Sequence, residues 1–486
     1  MTAGSSPALW LPSAHRHSPW GEVRVVVAGL GVSGFAAADS LVHLGAQVTV
    51  VDERAGAAET DKATLLQILG ADVRIGAGST AALPRPVDLV VTSPGWRPSA
   101  PLLTAAAARG VPVWGEVELA WRLRDPDHHT PWLAITGTNG KTTAVSMLSS
   151  MLTAAGLRAP AVGNVGTPIL QAVMDPEPFD VLAVELSSFQ LHWTHSMSAQ
   201  AAAVLNIAED HLDWHGSMHR YVDAKATIYE RAQVACVYNA DAPVTEQMVR
   251  EAEVVEGCRA IGFTQGVPQI GMLGVVDGVL ADRAFVDDRE VSAAELGSVA
   301  DVTPAGPHNV ANALAAAALA RAHGVSPAAV RQGLRAFQPA AHRIAPVASI
   351  DGIAYVDDSK ATNPAAAAAS LQSFDSVVWV AGGLAKGAAF DDLVQQVRDR
   401  LRAVLLIGRD RGVIADALAR HAPDVPALEV DAADHEVMDR VVRVAADVAQ
   451  PGDTVLLAPG CASMDQFTDY AARGDAFAAA VRDRRG

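Results

Sequence analysis

Short apolar runs, each closed by a glycine turn and followed by helical spacing of apolar residues, recur along the chain. The first run spans residues 23–28. It leads into Gly29-Leu30-Gly31-Val32-Ser33-Gly34, then a helix to about residue 44, then a second run at 47–51 that ends on Asp52. Apolar runs this short read as buried strands, and the order strand, turn, helix, strand reads as a parallel βαβ unit. Another strand at 89–92 runs into Ser93-Pro94-Gly95. A polar stretch with prolines and histidines at 122–131 interrupts the pattern. It restarts with a strand at 132–136, a glycine loop, a helix at about 141–155, and strands at 181–184 and 201–205. Near residue 340 it starts a third time, with strands at 353–356, 377–380, 404–407 and 454–457 and helices such as 388–402 and 435–449.

This alternation predicts an α/β fold with parallel sheets. At 486 residues the chain is too long for one ordinary core. The expected organisation is an N-terminal extension at 1–20, a Rossmann-like domain at 21–121, a central P-loop mononucleotide-binding α/β domain at 122–338, and a Rossmann-like α/β domain at 339–486. No internal repeat is visible.

Composition narrows the function. A net charge of −17 argues against a nucleic-acid partner, which selects for a basic face. Anionic small molecules would have to be drawn in by local cationic pockets. Cys236, Cys258 and Cys461 lie far apart in no metal-like spacing and read as reduced thiols of a cytoplasmic protein. The alanine-rich run at 311–320 contains Asn312 and is followed by Arg321, so no membrane span is expected. The first twenty residues carry no apolar signal core and read as a loose extension.

Of the 37 basic side chains, only five are lysines: Lys62, Lys141, Lys225, Lys360 and Lys386. A chain that uses arginine almost everywhere keeps lysine where a compact charge or a modifiable amine is needed, unless codon bias alone left these five. Lys141 closes the loop Thr136-Gly137-Thr138-Asn139-Gly140-Lys141-Thr142-Thr143. Strand, glycine turn and helix opening on Lys-Thr-Thr make a phosphate cradle: N–H groups and the helix dipole face the anion, Lys141 reaches the outer phosphates, and the Thr142 hydroxyl suits Mg²⁺. The bland alternative is a tight turn with a capping threonine. Gly29, Gly31 and Gly34 fit G-x-G-x-x-G, but that turn serves NAD(P), serves other nucleotide diphosphates, or merely packs helix on strand.

The shortened loop, with Gly163-Asn164-Val165-Gly166, resembles the Mur ligase superfamily, whose members use ATP to join an amino acid to a carboxylate. Three further segments resemble its D-glutamate-adding branch: Glu185-Leu186-Ser187-Ser188-Phe189-Gln190-Leu191, Asp358-Ser359-Lys360-Ala361-Thr362-Asn363-Pro364, and Cys461-Ala462-Ser463-Met464-Asp465-Gln466-Phe467. The Asn-Pro-Arg motif of the diaminopimelate- or lysine-adding relatives is absent. The resemblance implies a ligase that adds D-glutamate to UDP-N-acetylmuramoyl-L-alanine through an acyl phosphate, releasing ADP and phosphate, in peptidoglycan precursor synthesis. Its cofactors would be ATP and Mg²⁺, two ions, with no nucleic-acid or membrane partner and a monomeric state.

By the same resemblance, Lys141, Glu185, His211 and Lys225 are catalytic, and Lys225 carries a carbamate. Thr142, Glu185, His211 and Lys225 would hold metal. ATP would meet Gly137, Thr138, Asn139, Gly140, Lys141, Thr142, Thr143, Asn309, Arg343 and Asp358. The UDP substrate would meet Gly31, Val32, Ser33, Asp52, Glu53, Gly95 and Asn164. D-glutamate would meet Lys360, Thr362, Lys386, Ser463, Met464 and Tyr470. Tyr470 stands where relatives often carry Phe, and Leu384 where Asp is frequent. His215 and His219 are expected to be structural, and His308 and Asn312 to cap or pack as readily as to bind. Two rivals stay open: a related Mur or folylpolyglutamate-type ligase using another amino acid, and an NAD(P)-dependent oxidoreductase.

Overall fold

The computed structural model describes residues 7–339, 341–431 and 436–485. The chain forms two compact units. One runs to Gly297 and takes in Asn312–Arg335; the other holds Ser298–Ala311 and the chain from Ala336 onward.

The first unit carries two sheets. Five parallel strands lie in the order Asp72–Ile75, Gln47–Asp52, Arg24–Ala28, Leu89–Thr92, Val113–Gly115. The valine-rich central strands are buried on both faces, as parallel strands covered by helices require. Strand order reverses at Arg24–Ala28, so the turn after it lies at the switch point where α/β sheets open a ligand crevice. In the nine-stranded sheet, Trp132–Thr136 lies between Ala201–Val204 and Leu182–Glu185, parallel to both. Its other strands include Ala235–Asn239, Arg259–Phe263 and an antiparallel pair, Met272–Val276 with Val279–Asp282. The second unit has six strands in the order Ala345–Ile350, Ile353–Asp357, Thr454–Leu457, Val377–Gly382, Leu401–Ile407, Ala427–Glu429; only the first pair is antiparallel.

Three expectations are corrected. The predicted helix at 388–402 is shorter, Asp391–Val397 with one 3₁₀ turn, because Leu401 and Arg402 already belong to the strand Leu401–Ile407. The N-terminal extension is not loose over its described part. Leu11 and Trp20 are buried, Trp10 packs edge-on against Trp20 at 5.5 Å, and the Arg122 guanidinium donates to the carbonyls of Leu11 and Pro12. The cysteines are not all far apart: parallel pairing of Ala235–Asn239 with Arg259–Phe263 brings the Cys236 and Cys258 sulfurs to 3.9 Å. For the helix expected at 435–449, the structure has Val437–Val448, and residue 435 lies outside the described residues.

The helix Pro327–Ala336 packs tightly on the helix Lys141–Ala154. A Cβ on Gly333 would stand 2.3 Å from the Met151 Cα, and Ser150 Oγ donates to the Gly333 carbonyl at 2.7 Å. Gly333→Ala should therefore cost about 1–3 kcal/mol of stability through overpacking. Urea unfolding checks this: the midpoint should fall, and an unchanged midpoint would mean that the helices part without penalty.

Candidate active site

The strand Trp132–Thr136 is buried along its whole length, and its C-terminal end becomes the glycine loop. Gly140 takes φ 82°, and a Cβ there would stand 2.3 Å from Asn312 Oδ1, so only glycine fits. The loop is braced before any ligand arrives. Asn206 accepts from the Asn139 N–H at 2.9 Å and donates to the Asn139 carbonyl at 3.1 Å. Its carbonyl takes the Thr138 N–H at 3.0 Å. The Thr138 hydroxyl lies 2.9 Å from the Tyr221 hydroxyl, and the Ala208 N–H donates to it at 2.9 Å. Thr138 thus acts through its side chain as a brace.

Both cations expected here sit on the loop. Lys141 Nζ donates to the carbonyls of Gly137 at 2.9 Å and Thr138 at 2.8 Å. Lys225, on the helix Met218–Ala226, is 1% exposed; its Nζ donates to the same Gly137 carbonyl at 2.8 Å and to Thr136 Oγ1 at 3.3 Å. Burial, reinforced by the nearby Lys141 charge, holds the Lys225 pKa well below the ordinary lysine range. Thr142 Oγ1 donates to Glu185 Oε2 at 2.7 Å, and Asn164 Nδ2 to Glu185 Oε1 at 2.8 Å. Asn164, expected at the UDP substrate, therefore sits on the expected metal carboxylate. Glu185 closes the strand Leu182–Glu185 and is buried.

His211 takes φ 54° and is half-exposed; its Nε2 lies 3.5 Å from Asp210 Oδ2, and its ring lies 4.6 Å from that of Phe189. Phe189 also stacks on His215, which is buried, hydrogen-bonds Ser188 Oγ at 3.0 Å and is pushed down to about 4 by burial. The Thr142 hydroxyl and the Glu185 carboxylate, 2.7 Å apart, are oxygen donors of the kind that hard divalent cations take, whereas the His211 ring adjoins Asp210 and Phe189.

At the N-terminal turn, a Cβ on Gly34 would stand 1.9 Å from the Gly29 carbonyl oxygen, whereas one on Gly31 would meet nothing within 4 Å. The turn is therefore tight at one end and open at the other. Asp52 accepts from the Leu30 N–H at 2.7 Å and from Arg54, and Glu53 accepts from the N–H groups of Gly78 and Thr80, so both shape the turn's surroundings. Ser33 Oγ lies 2.9 Å from Glu116 Oε2. Lys62 Nζ lies 3.5 Å from the Leu30 carbonyl oxygen. Gly95 accepts from Trp214 Nε1 at 3.4 Å.

In the second unit, Leu384 and Ala462 exchange N–H···O bonds at 2.8 and 3.0 Å, which ties the Lys386 loop to the Ser463–Met464 loop. Gly383 permits this: a Cβ there would stand 2.2 Å from the Ala462 carbonyl oxygen. Lys360 Nζ lies 3.9 Å over the Tyr470 ring. The fully buried Arg473 donates to the Ser359 hydroxyl and carbonyl and to the Cys461 carbonyl, tying the chain at Ser359 to the chain at Cys461. Ser463 is buried, Thr362 half-buried, and Lys386 and Met464 are exposed. Asn309 is buried with Nδ2 on the Pro304 carbonyl at 3.0 Å. Burial pushes Asp358 up to about 7, against hydrogen bonding, including that from the Ile344 N–H, and the Arg343 charge. Asn206, Tyr221, Glu116 and Arg473 were not among the expected site residues. They act on loops and on other side chains, so the motifs carry no direct signal for them.

Three family profiles match the chain: a MurD-like N-terminal domain of Mur ligases at residues 23–115, the Mur ligase middle domain at 135–320, and the Mur ligase glutamate ligase domain at 342–461. A UDP-N-acetylmuramoylalanine–D-glutamate ligase of Streptomyces avermitilis is 61% identical over 95% of this chain and 98% of its own. Another, from Leifsonia xyli, is 52% identical over 100% of this chain and 97% of its own. Among solved structures, a UDP-N-acetylmuramate–alanine ligase of Thermotoga maritima shares the fold, with a TM-score of 0.56 at 19% identity over 95% of this chain and 100% of that one. With glycine loop, buried lysine and paired carboxylate in these positions, the chain belongs to the Mur ligases, in the branch of the D-glutamate ligases.

Proposed function

We propose that this chain uses ATP to join D-glutamate to the L-alanyl carboxylate of UDP-N-acetylmuramoyl-L-alanine, with the side chains above in defined roles. The observation that carries the site assignment is the convergence of Lys141, Lys225, Thr142 and Glu185 around one glycine loop. The substrate carboxylate attacks the γ-phosphorus of ATP and ADP leaves. The amine of D-glutamate then attacks the acyl carbon of the acyl phosphate, loses a proton and expels phosphate. Lys141, now on loop carbonyls, moves to the outer phosphates as a point charge. The helix N-terminus at 141 takes the phosphate oxygens.

Thr142, Glu185, His211 and Lys225 would hold Mg²⁺, two ions in all, which would supply positive charge to neutralise the phosphates. A neutral Lys225 amine attacks the carbon of CO₂ and releases a proton, leaving a carbamate whose oxygens could serve as metal ligands. Arg343 and Asp358 are assigned to the nucleotide by the family resemblance. Lys360, Thr362, Lys386, Ser463, the Met464 N–H and Tyr470 serve the two carboxylates of the amino acid. The turn Gly31–Ser33 receives the UDP pyrophosphate, with Asp52 ordering it through Leu30. We place the domain boundaries at 121/122 and 338/339, with one sheet in each part. No helix among the described residues is long and apolar enough to cross a membrane. We further propose that the enzyme is monomeric and cytoplasmic.

With UDP-N-acetylmuramoyl-L-alanine and ATP, phosphate release should require D-glutamate; release with L-glutamate or meso-diaminopimelate in its place would overturn the substrate assignment. In ¹³C-bicarbonate, the Mg²⁺-loaded, substrate-bound enzyme should show one carbamate carbon resonance that Lys225→Ala abolishes; its absence from the wild type would sink the carbamate. Asn206→Ala removes two hydrogen bonds from the Asn139 backbone. At roughly 1 kcal/mol each this should raise the KM for ATP by about 10-fold to 100-fold. An unchanged KM would mean that the loop holds its shape without that brace.

A further inference from the structure

Glu116 opens the helix Glu116–Arg122, is 2% exposed, and is not required by any step above. Its Oε2 lies 2.9 Å from Ser33 Oγ and its Oε1 accepts from the Leu170 N–H at 3.3 Å. Its carboxyl therefore joins the proposed pyrophosphate turn to the start of the helix Ile169–Val173. The proton between Glu116 and Ser33 has two arrangements. If Glu116 is ionised, it has no proton to give, so the Ser33 hydroxyl must donate to it. Ser33 then points only lone pairs elsewhere, and a pyrophosphate oxygen, itself an acceptor, gains nothing from the hydroxyl. If Glu116 is the neutral acid, its O–H donates to Ser33 Oγ. The Ser33 O–H is then released to donate to the anion, and the buried negative charge beside that anion is gone.

We infer that Glu116 is a positioning residue that works as the neutral acid, setting the direction of the Ser33 hydroxyl so that it donates to the substrate's pyrophosphate. This rests on the reading of Gly31–Ser33 as the pyrophosphate turn. Burial favours the neutral form, and the hydrogen bonds that the carboxyl accepts favour the ionised one. Burial raises the Glu116 pKa, opposed by hydrogen bonds from Leu170, Ser33 and Ile169. On the packed helices, Asp39, His43 and His192 are exposed, and Glu118 is paired with Arg122 at 2.7 Å. Substrate binding then takes up a proton wherever the free enzyme holds Glu116 ionised.

The test is the KM for UDP-N-acetylmuramoyl-L-alanine from about pH 6 to about pH 9, with the KM for ATP as the internal reference. In the wild type the first should rise with pH, by up to about tenfold per unit once Glu116 ionises in the free enzyme, while the second does not follow it. Glu116→Gln should bind the substrate as well as the wild type does at low pH and lose the pH dependence, because the amide N–H₂ donates to Ser33 while its oxygen keeps the Leu170 N–H. Ser33→Ala should raise this KM and flatten the profile. A Glu116→Gln variant with the wild-type slope, or with a KM as high as that of Ser33→Ala, would overturn the inference. So would a flat wild-type profile. Ser33→Ala with an unchanged KM would instead overturn the placement of the pyrophosphate, and the inference with it. Calorimetry of wild-type substrate binding in two buffers of different ionisation enthalpy reads the proton directly and needs no variant. Uptake approaching one proton above the Glu116 pKa supports the inference, and none anywhere in the range refutes it.

Discussion

Two amines share one oxygen. Lys141 and Lys225 both donate to the Gly137 carbonyl, at 2.9 and 2.8 Å, and Lys225 has almost no contact with water. Two unit charges about 4 Å apart repel by about 4 kcal/mol at an effective dielectric of 20, a cost that a desolvated ammonium adds to its lost hydration. The pair relaxes by lowering the proton affinity of the buried partner, which is the condition for an amine to act as a nucleophile toward CO₂. Carbamylation would then give Lys225 a negative charge, which Lys141 attracts. Arginine could do neither, having no accessible neutral form.

This arrangement needs the Gly137 carbonyl to stay put, and the neighbouring residues enforce that. A Cβ on Gly137 would stand 3.1 Å from Leu205 Cβ, so the loop lies directly on the adjacent strand's end. Asn206 holds the Asn139 peptide from both sides, and Tyr221, four residues before Lys225 on the same helix, holds Thr138. The helix that delivers Lys225 thus also fixes the loop it leans on. Pre-ordering of this kind spares the ligand the entropy of organising its own cradle.

About half of the strands were legible, chiefly those buried on both faces, which leave uninterrupted apolar runs such as Arg24–Ala28 and Trp132–Thr136. Strands such as Asp72–Ile75 and Met272–Val276 escaped because they are half-exposed and interrupted by polar residues or glycine. The site divides in the same way. Lys141, Thr142, Glu185 and Lys225 could be named from short motifs, and the fold brings them within hydrogen-bonding reach of one another or of one loop carbonyl. What sequence could not supply was direction. Asp52 turns to Leu30 and Arg54, Asn164 turns to Glu185, and the proximity of Cys236 and Cys258 depends on a strand register that no spacing rule reveals.

A chain of net charge −17 that must hold phosphates has a second resource besides its cations: it can remove charge. Glu116 beside Ser33 and Asp358 beside Arg343 are carboxyls that burial drives toward their neutral forms, and Lys225 is driven the same way from the opposite sign. Desolvation does not distinguish acid from base; it penalises whichever form is charged. Beside a phosphate, a neutral acid removes a repulsion and gains a donor. Beside Lys141, a neutral amine removes a repulsion and gains a lone pair. Placing these three groups out of water therefore adapts the proposed ligand positions to anions without adding positive side chains, and it makes their hydrogen-bond directions depend on protonation as well as on geometry.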